Sequence, residues 1–258
     1  MHATLTVLGS GTSMGVPTIG CDCAVCHSLD PHDRRTRPSV LVSYDGHHIL
    51  IDTTPDFREQ ALREKITRLD AVLYTHTHAD HILGIDDLRP LSYWHKPGRL
   101  PLYADAHAAE TLRHMFRYIF EGKYKFGGLP LVELKTIDGP FELSGATFEP
   151  VTVIHGETPI LAFRFGSAAY LTDHSEIPEK SKEQLRDLDI LFLDALRYKP
   201  HPTHTTVEQA LKIVEELKPK RAFFTHICHD LPHEATNATL PPHVRLAYDG
   251  MKLEFEIS

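Results

Sequence analysis

Short apolar runs separated by polar turns recur along the whole chain, and most of them have the length of a β-strand. The runs that predict strands are residues 4–8, 40–44, 48–52, 71–75, 100–104, 148–154, 161–165, 168–172, 190–194, 222–225 and 253–257. Asp45-Gly46 between the second and third runs is typical of a two-residue turn, so residues 40–52 are expected to form a hairpin.

Two segments, residues 106–120 and 207–217, show the spacing of amphipathic helices instead. Thr205, with Glu208 three residues later, predicts a capping box at the start of the second helix. Many strands with few helices favour an α/β fold in which helices cover the sheets. Because no repeat or linker divides the chain, we expect one domain over residues 1–258.

The overall composition is ordinary for a globular chain, with 41% hydrophobic and 24% charged residues. No apolar run is long enough to span a membrane, and the first residues lack a secretory signal, so we expect a cytoplasmic protein without membrane contact. The net charge of −8 argues against a broad nucleic-acid surface. Histidine is unusually frequent, because its 19 copies outnumber the 15 glycines.

Histidine and aspartate concentrate directly after the predicted strands, where loops can converge on one edge of a sheet. One strand is followed by the run His76-Thr77-His78-Ala79-Asp80-His81. Three other strands are each followed by one candidate ligand, which are His155, Asp173 and His226. Any one of them could be an ordinary surface or hydrogen-bonded residue, but the set as a whole indicates a metal site.

The spacing within this run suits two metal ions. Alternate residues of an extended segment point to the same side, so His76 and His78 can bind one ion. A turn then presents Asp80 and His81 to a second ion. Imidazole and carboxylate ligands suit Zn²⁺ and also admit Mn²⁺ or Fe. Two such ions about 3.5–4 Å apart can hold a hydroxide between them and bind a phosphoryl group.

The same run, with Asp52 at the end of an earlier strand, resembles the signature of the metallo-β-lactamase superfamily. The resemblance implies an αββα sandwich, two mixed sheets covered by helices, with a dinuclear metal site at one edge. Asp52 would support the histidine loop. The implied ligands are His76, His78 and His155 for the first ion, Asp80, His81 and His226 for the second, and Asp173 as the bridge.

Three of the four cysteines, Cys21, Cys23 and Cys26, lie within six positions. In a reducing compartment, thiols clustered in this way more often bind metal than form structural disulfides. Three thiolates need a fourth ligand to complete a tetrahedral zinc site, and Cys228 and His229 are the candidates. Reduced core cysteines or a transient disulfide are the alternatives.

The cysteines, together with segments 9–17, 52–58 and 84–89, resemble the PhnP-like cyclic phosphodiesterases of the superfamily. The similarity spans nearly the whole chain. In that branch a histidine three residues after the second-metal histidine completes a structural zinc site, which matches His229. This sequence departs from the branch at Cys228, where a small residue is usual. The resemblance therefore implies one structural zinc, two active-site ions (Mn or Zn) and a homodimer.

The resemblance also implies metal-dependent hydrolysis of small cyclic phosphodiesters such as phosphoribosyl cyclic phosphate. His204 matches the catalytic histidine of the branch and would protonate or stabilise the leaving group, unless it is merely a histidine near a helix cap. Arg58 and Arg89 are candidates for binding the substrate phosphate, but each could equally pair with a neighbouring aspartate. Tyr118 and Tyr124 are candidate pocket residues, although aromatic residues of this kind are more often part of a core.

Other functions stay open. A transfer-RNA 3′-processing endonuclease of the superfamily shares the ligands, but this acidic chain has no inserted basic arm. A non-catalytic PqqB-like protein also carries Cys-x-Cys-x-x-Cys. The complete run from His76 to His81 favours an enzyme in which Asp80 is essential. Thioester or lactam hydrolysis is less favoured, because the glycine-rich start matches phosphoesterases. We therefore expect a small-molecule partner and no nucleic acid.

Overall fold

Two seven-stranded β-sheets form the centre of the structure, a computed structural model that describes residues 1–123 and 126–257. The strands are β1 (His2–Gly9), β2 (Ser39–Tyr44), β3 (His47–Ile51), β4 (Ala71–Leu73), β5 (Leu100–Ala104), β6 (Val132–Thr136), β7 (Phe141–Leu143), β8 (Ala146–His155), β9 (Thr158–Phe165), β10 (Ala168–Leu171), β11 (Ile190–Asp194), β12 (Arg221–Thr225), β13 (Val244–Leu246) and β14 (Lys252–Glu256). Their spatial order is β14-β1-β2-β3-β4-β5-β6 in the first sheet and β13-β12-β11-β10-β9-β8-β7 in the second.

Short helices cover the outer faces of the two sheets. They are α1 (Phe57–Arg63), α2 (Ala79–Ile82), α3 (Arg89–Trp94), α4 (Ala106–Met115), α5 (Arg117–Phe120), α6 (Glu179–Gln184), α7 (Val207–Leu217) and α8 (His233–Asn237). Apolar residues of α1 to α5 pack on the first sheet, and those of α7 pack on the second. In the described ranges, no helix has both the length and the apolar character that crossing a membrane requires.

Strand alternation divides the apolar side chains into three cores. In β3, Ile49 and Ile51 face the core between the sheets, whereas Leu50 faces the helices. In β11, Phe192 lies between the sheets and Leu193 lies on the α7 side. Successive side chains of a strand point to opposite faces, so a strand buried on both faces carries a continuous apolar run. The predicted αββα architecture is confirmed.

All eleven predicted strands are present, with ends shifted by three residues or fewer. The sequence missed β6, β7 and β13, each of which lies at the edge of a sheet. Edge strands are short and partly exposed, so their apolar pattern is weak. The predicted helix 106–120 is divided at Phe116, whose φ of −109° and ψ of 41° leave the helical region.

The predicted hairpin is confirmed, because β2 and β3 pair in antiparallel fashion. The turn residues Asp45 and Gly46 both have positive φ, 46° and 77°. That combination belongs to the hairpin turn whose twist matches the flanking strands, and it explains the Asp-Gly sequence.

Strand directions bring six strand ends together. β10, β11 and β12 are parallel neighbours, and β8 runs the same way because β8 and β10 are both antiparallel to β9. Their carboxyl ends therefore lie at one edge of the second sheet. In the first sheet, β3 and β4 are likewise parallel, so their carboxyl ends share an edge. The clustered histidines and aspartates follow these six ends.

The cap of α7 lies one residue later than predicted. The backbone N–H of Gln209 donates to Oγ1 of Thr206 (3.2 Å), and the N–H of Thr206 donates to Oε1 of Gln209 (2.8 Å). The hydroxyl of Thr205 instead donates to the carbonyl oxygen of His174 (2.9 Å). The predicted pair Thr205 and Glu208 was therefore wrong, because a contact with a distant loop decides which threonine caps the helix.

We predict that Thr206→Ala lowers the free energy of unfolding by about 1 kcal/mol, because α7 loses its N-cap hydrogen bond. Urea denaturation measures the change. Glu208→Gln is the control, since Glu208 is exposed and pairs with exposed Lys212 on the same helix (2.8 Å), so the change in stability should be less than about 0.5 kcal/mol. Equal losses in the two variants would contradict the assigned cap.

Candidate metal centre

The seven residues proposed as dinuclear ligands lie together where the strand ends meet. Their donor atoms form two groups, and within each group all atoms lie within 4.8 Å of one another. The first group is His76, His78, His155 and Asp173, and the second is Asp80, His81, Asp173 and His226. Asp173 belongs to both groups, and His78 is the one exposed member.

The carboxylate of Asp173 lies between the two groups. Its Oδ1 is 3.2 Å from Nε2 of His81. Its Oδ2 is 3.2 Å from Nε2 of His226 and 3.9 Å from Nε2 of His76. Oδ2 of Asp80 faces the same two nitrogens of the second group, at 3.3 Å from His81 and 3.6 Å from His226. One carboxylate thus contacts ligands of both groups, as a bridging residue must.

Several buried atoms of these residues have no hydrogen-bond partner within the described parts of the chain. They are Nε2 of His76, Oδ2 of Asp80, Nε2 of His81, and both ring nitrogens of His226. Each such atom costs about 1–3 kcal/mol when it is buried without a partner. Imidazole nitrogens and carboxylate oxygens that converge in this way suit divalent cations such as Zn²⁺ or Mn²⁺. The residues present therefore fit metal binding.

The charges of the site attract positive charge. Burial disfavours the protonated form of His226, but the carboxylates of Asp173 and Asp80 outweigh it and raise the pKa of His226 to about 9. Burial opposes protonation of His81 as well, and the facing carboxylates nevertheless raise its pKa well above the usual value. Burial would raise the pKa of Asp80, yet the same imidazoles hold that pKa well below its ordinary range.

Three residues at this edge adopt left-handed backbone conformations. Asp52, Asp173 and His226 have φ values of 67°, 51° and 56°. Positive φ is uncommon outside glycine and costs about 1–3 kcal/mol where it is strained. Each of the three follows the end of a strand, so the conformation turns the side chain out of the strand path and toward the site.

Neighbouring groups fix the orientation of the histidine rings. Oδ2 of Asp52 lies 2.7 Å from Nδ1 of His81, and Asp52 also accepts the backbone N–H and the hydroxyl of Thr75 (2.9 and 2.8 Å). The carbonyl oxygen of Thr203 lies 2.8 Å from Nδ1 of His155. A ring held at Nδ1 presents Nε2 in one direction, as metal-binding histidines usually do.

His204 lies next to the ligands and is paired with a buried carboxylate. Its Nδ1 is 2.6 Å from Oδ2 of Asp194. Its ring stacks on His226 at 4.6 Å between centroids and lies 4.8 Å from His155. Sequence reasoning did not single out Asp194. The signal was available, because Asp194 ends the apolar strand β11 just as the other candidates end or follow theirs.

A cavity of about 570 Å³ opens beside the first group of ligands. His76, His78 and His155 form part of its wall, and Asp105 and Glu157 line it as well. Among the described residues that line it, no lysine or arginine is present. A cavity of this volume accommodates a small molecule next to the metal-binding groups.

The structure does not bring the two arginines predicted to bind phosphate into this cavity. Arg89 pairs with Asp86, and Arg58 lines a separate cavity of about 260 Å³. Their role in substrate binding stays a prediction. The hydroxyl of Tyr118 donates to Asp86 (3.1 Å), and Tyr124 lies outside the described residues.

The three clustered cysteines meet His229. Nδ1 of His229 lies 3.1 Å from Sγ of Cys21, 3.6 Å from Sγ of Cys23 and 3.5 Å from Sγ of Cys26. The four donor atoms all lie within 4.8 Å of one another. Three sulfur atoms and one imidazole nitrogen are a ligand set of structural zinc sites.

Backbone N–H groups donate to the sulfur atoms of two of these cysteines. The N–H of Cys26 donates to Sγ of Cys23 (3.4 Å) and lowers the pKa of Cys23 to about 7. The N–H of Thr18 donates to Sγ of Cys26 (3.3 Å), but burial outweighs this contact and raises the pKa of Cys26 to about 11. Cys228, the other candidate for the fourth ligand, is buried outside this cluster, where its sulfur accepts the N–H of Asp230 (3.3 Å).

Comparison with known proteins agrees with this geometry. A family model described as beta-lactamase superfamily domain matches residues 47–227. A solved structure described as a new diphosphatase from the PhnP family is 63% identical, with a TM-score of 0.95, and the match covers 100% of this chain and 98% of that one. Zinc-bound PqqB from Methylobacterium extorquens shares the fold at 20% identity and a TM-score of 0.80, covering 98% and 99% of the two chains.

A curated relative from Porphyromonas gingivalis, named octanoyltransferase, is 43% identical over 251 residues. The alignment covers 95% of this chain and 50% of that protein, so this chain spans half the length of that relative. The family model matches most of the chain, and the 63% identical structure is covered almost from end to end. This chain therefore belongs to the beta-lactamase superfamily and, within it, to the PhnP family.

Proposed function

We propose that this protein is a metal-dependent hydrolase that cleaves a phosphorus–oxygen bond in small phosphodiesters, with cyclic phosphodiesters such as phosphoribosyl cyclic phosphate as the substrate class. The observation that carries the proposal is the pair of donor groups that share Asp173, with buried ligand atoms that have no other partner among the described residues. Membership in the PhnP family and the similarity to a diphosphatase support a phosphorus-containing substrate.

The proposal assigns two divalent ions, Mn²⁺ or Zn²⁺, to the two groups. The ligands would be His76, His78 and His155 for one ion, Asp80, His81 and His226 for the other, and Asp173 for both. When bound, such ions supply Lewis-acid polarisation of the phosphoryl group and of a water molecule. The chain itself contributes the ring orientations set by Asp52 and Thr203 and the negative field set by the carboxylates.

His204 is assigned the role of protonating the leaving group. Asp194 holds its Nδ1, so the other ring nitrogen is left to deliver a proton to the departing oxygen. The close stacking on His226 and the contact with His155 keep His204 beside both donor groups. Asp194 acts through His204 as a positioning residue, in the way a buried aspartate orients a catalytic histidine in other hydrolases.

A small substrate is favoured over transfer RNA. The cavity beside the ligands has about 570 Å³, which is within the range of small-molecule sites. The net charge of −8 disfavours a long polyanionic substrate, whose binding requires many cationic contacts.

Hydrolysis of a diphosphate is the second candidate, because the 63% identical neighbour is described as a diphosphatase. In both reactions the site would neutralise charge on a phosphoryl group. The two differ in the leaving group, which is a phosphate for the diphosphate and an alkoxide for the alkyl diester. An alkoxide has the greater need for the proton assigned to His204.

Protein loaded with Mn²⁺ or Zn²⁺ is expected to hydrolyse a cyclic ribosyl phosphate and a linear bis-aryl phosphodiester, and to leave precursor transfer RNA and an octanoyl thioester intact. Asp80→Ala should reduce the diester rate by about 1000-fold, because a lost Lewis-acid contribution is worth several kcal/mol. Initial rates on the same panel, with a nucleoside diphosphate added, measure both effects.

The matched control for that experiment is Asp138→Ala, which removes an exposed carboxylate that belongs to neither donor group and should keep full activity. Activity on the diphosphate alone would replace the first substrate class with the second. Activity confined to RNA or to the thioester, or full diester activity in Asp80→Ala, would refute the proposal.

His204→Ala is expected to lower kcat by about 100-fold on an alkyl phosphodiester, since general acid catalysis contributes at least that much. The loss should be smaller for a nitrophenyl ester, because nitrophenolate leaves without a proton. Asp194→Asn should also lower kcat more on the alkyl phosphodiester than on the nitrophenyl ester, and both losses should be smaller than in His204→Ala. Equal losses of kcat on the two substrates would contradict the proposal that His204 protonates the leaving group.

We also propose that Cys21, Cys23, Cys26 and His229 hold a structural zinc ion. The site joins segments more than 200 positions apart, so its ion would constrain a long stretch of chain. Cys23→Ala is expected to lose one zinc equivalent per chain and to lower the melting temperature. Elemental analysis and thermal unfolding measure the two effects.

Cys228→Ala is the control for the zinc experiment, because the Cys228 sulfur lies outside the cluster. We expect it to keep the zinc that Cys23→Ala and His229→Ala lose. If Cys228→Ala loses the zinc and His229→Ala keeps it, then Cys228 and not His229 is the fourth ligand.

A further inference from the structure

Another group of potential metal ligands shares no residue with the candidate dinuclear site or with the cysteine cluster. It consists of His32, His233 and Glu234, whose donor atoms all lie within 4.8 Å of one another. His32 lies in a single 3-10 turn, Pro31–Asp33, shortly after the clustered cysteines. His233 and Glu234 begin helix α8, a few residues beyond His229.

His233 is the buried member of this group. The residue is 4% exposed, and its Nδ1 has no hydrogen-bond partner among the described residues. Its ring packs against His32 at 4.6 Å between centroids, and the Tyr248 ring lies 4.2 Å from His32 and 5.8 Å from His233. A buried imidazole without a polar partner is costly, so its presence calls for a ligand.

The surroundings carry negative charge. Nδ1 of His32 lies 3.4 Å from Oδ1 of Asp30 and 4.0 Å from Oε1 of Glu234. In the described ranges, neither carboxylate forms an ion pair with a lysine or arginine. The neighbouring Asp33 differs, because the buried guanidinium of Arg35 pairs with it at 3.0 Å. Among the described residues, these two carboxylates form ion pairs only with the His32 imidazole, and the Arg35 guanidinium acts on Asp30 at longer range.

Solvent reaches one side of this group. The side chain of Glu234 is 78% exposed and that of His32 is 37% exposed. An ion would therefore reach the two imidazoles directly from solvent.

We propose that His32, His233 and Glu234 form an additional binding site for a divalent transition-metal ion such as Zn²⁺. Two imidazole nitrogens and a carboxylate oxygen are a known zinc ligand set that leaves a fourth position for water. The ion would join the turn after the cysteines to helix α8, which are 201 positions apart between His32 and His233. Binding would stabilise the folded chain in proportion to free metal, independently of the hydrolytic function.

Anomalous diffraction from crystals of the full chain soaked in ZnCl₂ tests the location. Data on both sides of the zinc edge should show a peak within bonding distance of His32 and His233, in addition to the peak at the cysteines. A map with the cysteine peak and without the His32 peak would overturn the proposal. This outcome does not depend on whether the protein hydrolyses phosphodiesters.

The zinc content of the full chain, equilibrated with buffered zinc without prior metal removal, tests the same site in solution. His32→Gln and the milder Glu234→Gln should bind one zinc equivalent fewer than wild type at the same buffered free zinc, with diester hydrolysis unchanged. His2→Gln is the matched control, since His2 is an exposed histidine beside Glu254 and Glu256 (both 3.4 Å) that belongs to no such group. Equal zinc content in wild type, His32→Gln and Glu234→Gln would refute the site.

Discussion

Buried charge at the edge of the two sheets is the constraint on which the rest of the structure depends. The carboxylates of Asp80 and Asp173 are removed from water, which costs several kcal/mol per ion unless opposite charge lies beside them. Three imidazoles from two different loops, those of His76, His81 and His226, face them at 3.2–3.9 Å. The fold holds these groups at strand ends and, at Asp173 and His226, in left-handed conformations. Cations bound there would offset much of this cost.

Orientation of the ligands comes from elements other than those that carry them. Asp52, at the end of β3, holds His81, and the loop carbonyl of Thr203 holds His155. A ring that is hydrogen-bonded at one nitrogen presents the other nitrogen in a fixed direction. Asp52 and Thr203 therefore decide where the rings of His81 and His155 point. Asp194 orients His204 in the same way, through a contact at one ring nitrogen, and His204 is the residue proposed to protonate the leaving group.

The glycine-rich start of the chain has a structural role beside the loop that carries His226 and His229. The N–H of Ile227 donates to the carbonyl of Ser10 (2.9 Å), and the N–H of Thr12 donates to the carbonyl of Ile227 (3.1 Å). A side chain at Gly11 would lie 2.7 Å from the carbonyl oxygen of Arg35, so the approach requires glycine. The N-terminal segment therefore packs directly against the loop that serves both metal clusters.

The sequence by itself determined the buried strands and most of the residues that meet at the candidate metal centre. Both are local features, because a strand buried on two faces is a continuous apolar run and its ligands come directly after it. The tertiary structure shows which of two neighbours makes the contact, Thr206 and not Thr205 at the cap of α7, and His229 and not Cys228 beside the three cysteines. It alone also paired Asp194 with His204. Adjacent residues point in different directions, and which direction meets a partner depends on contacts with distant parts of the chain.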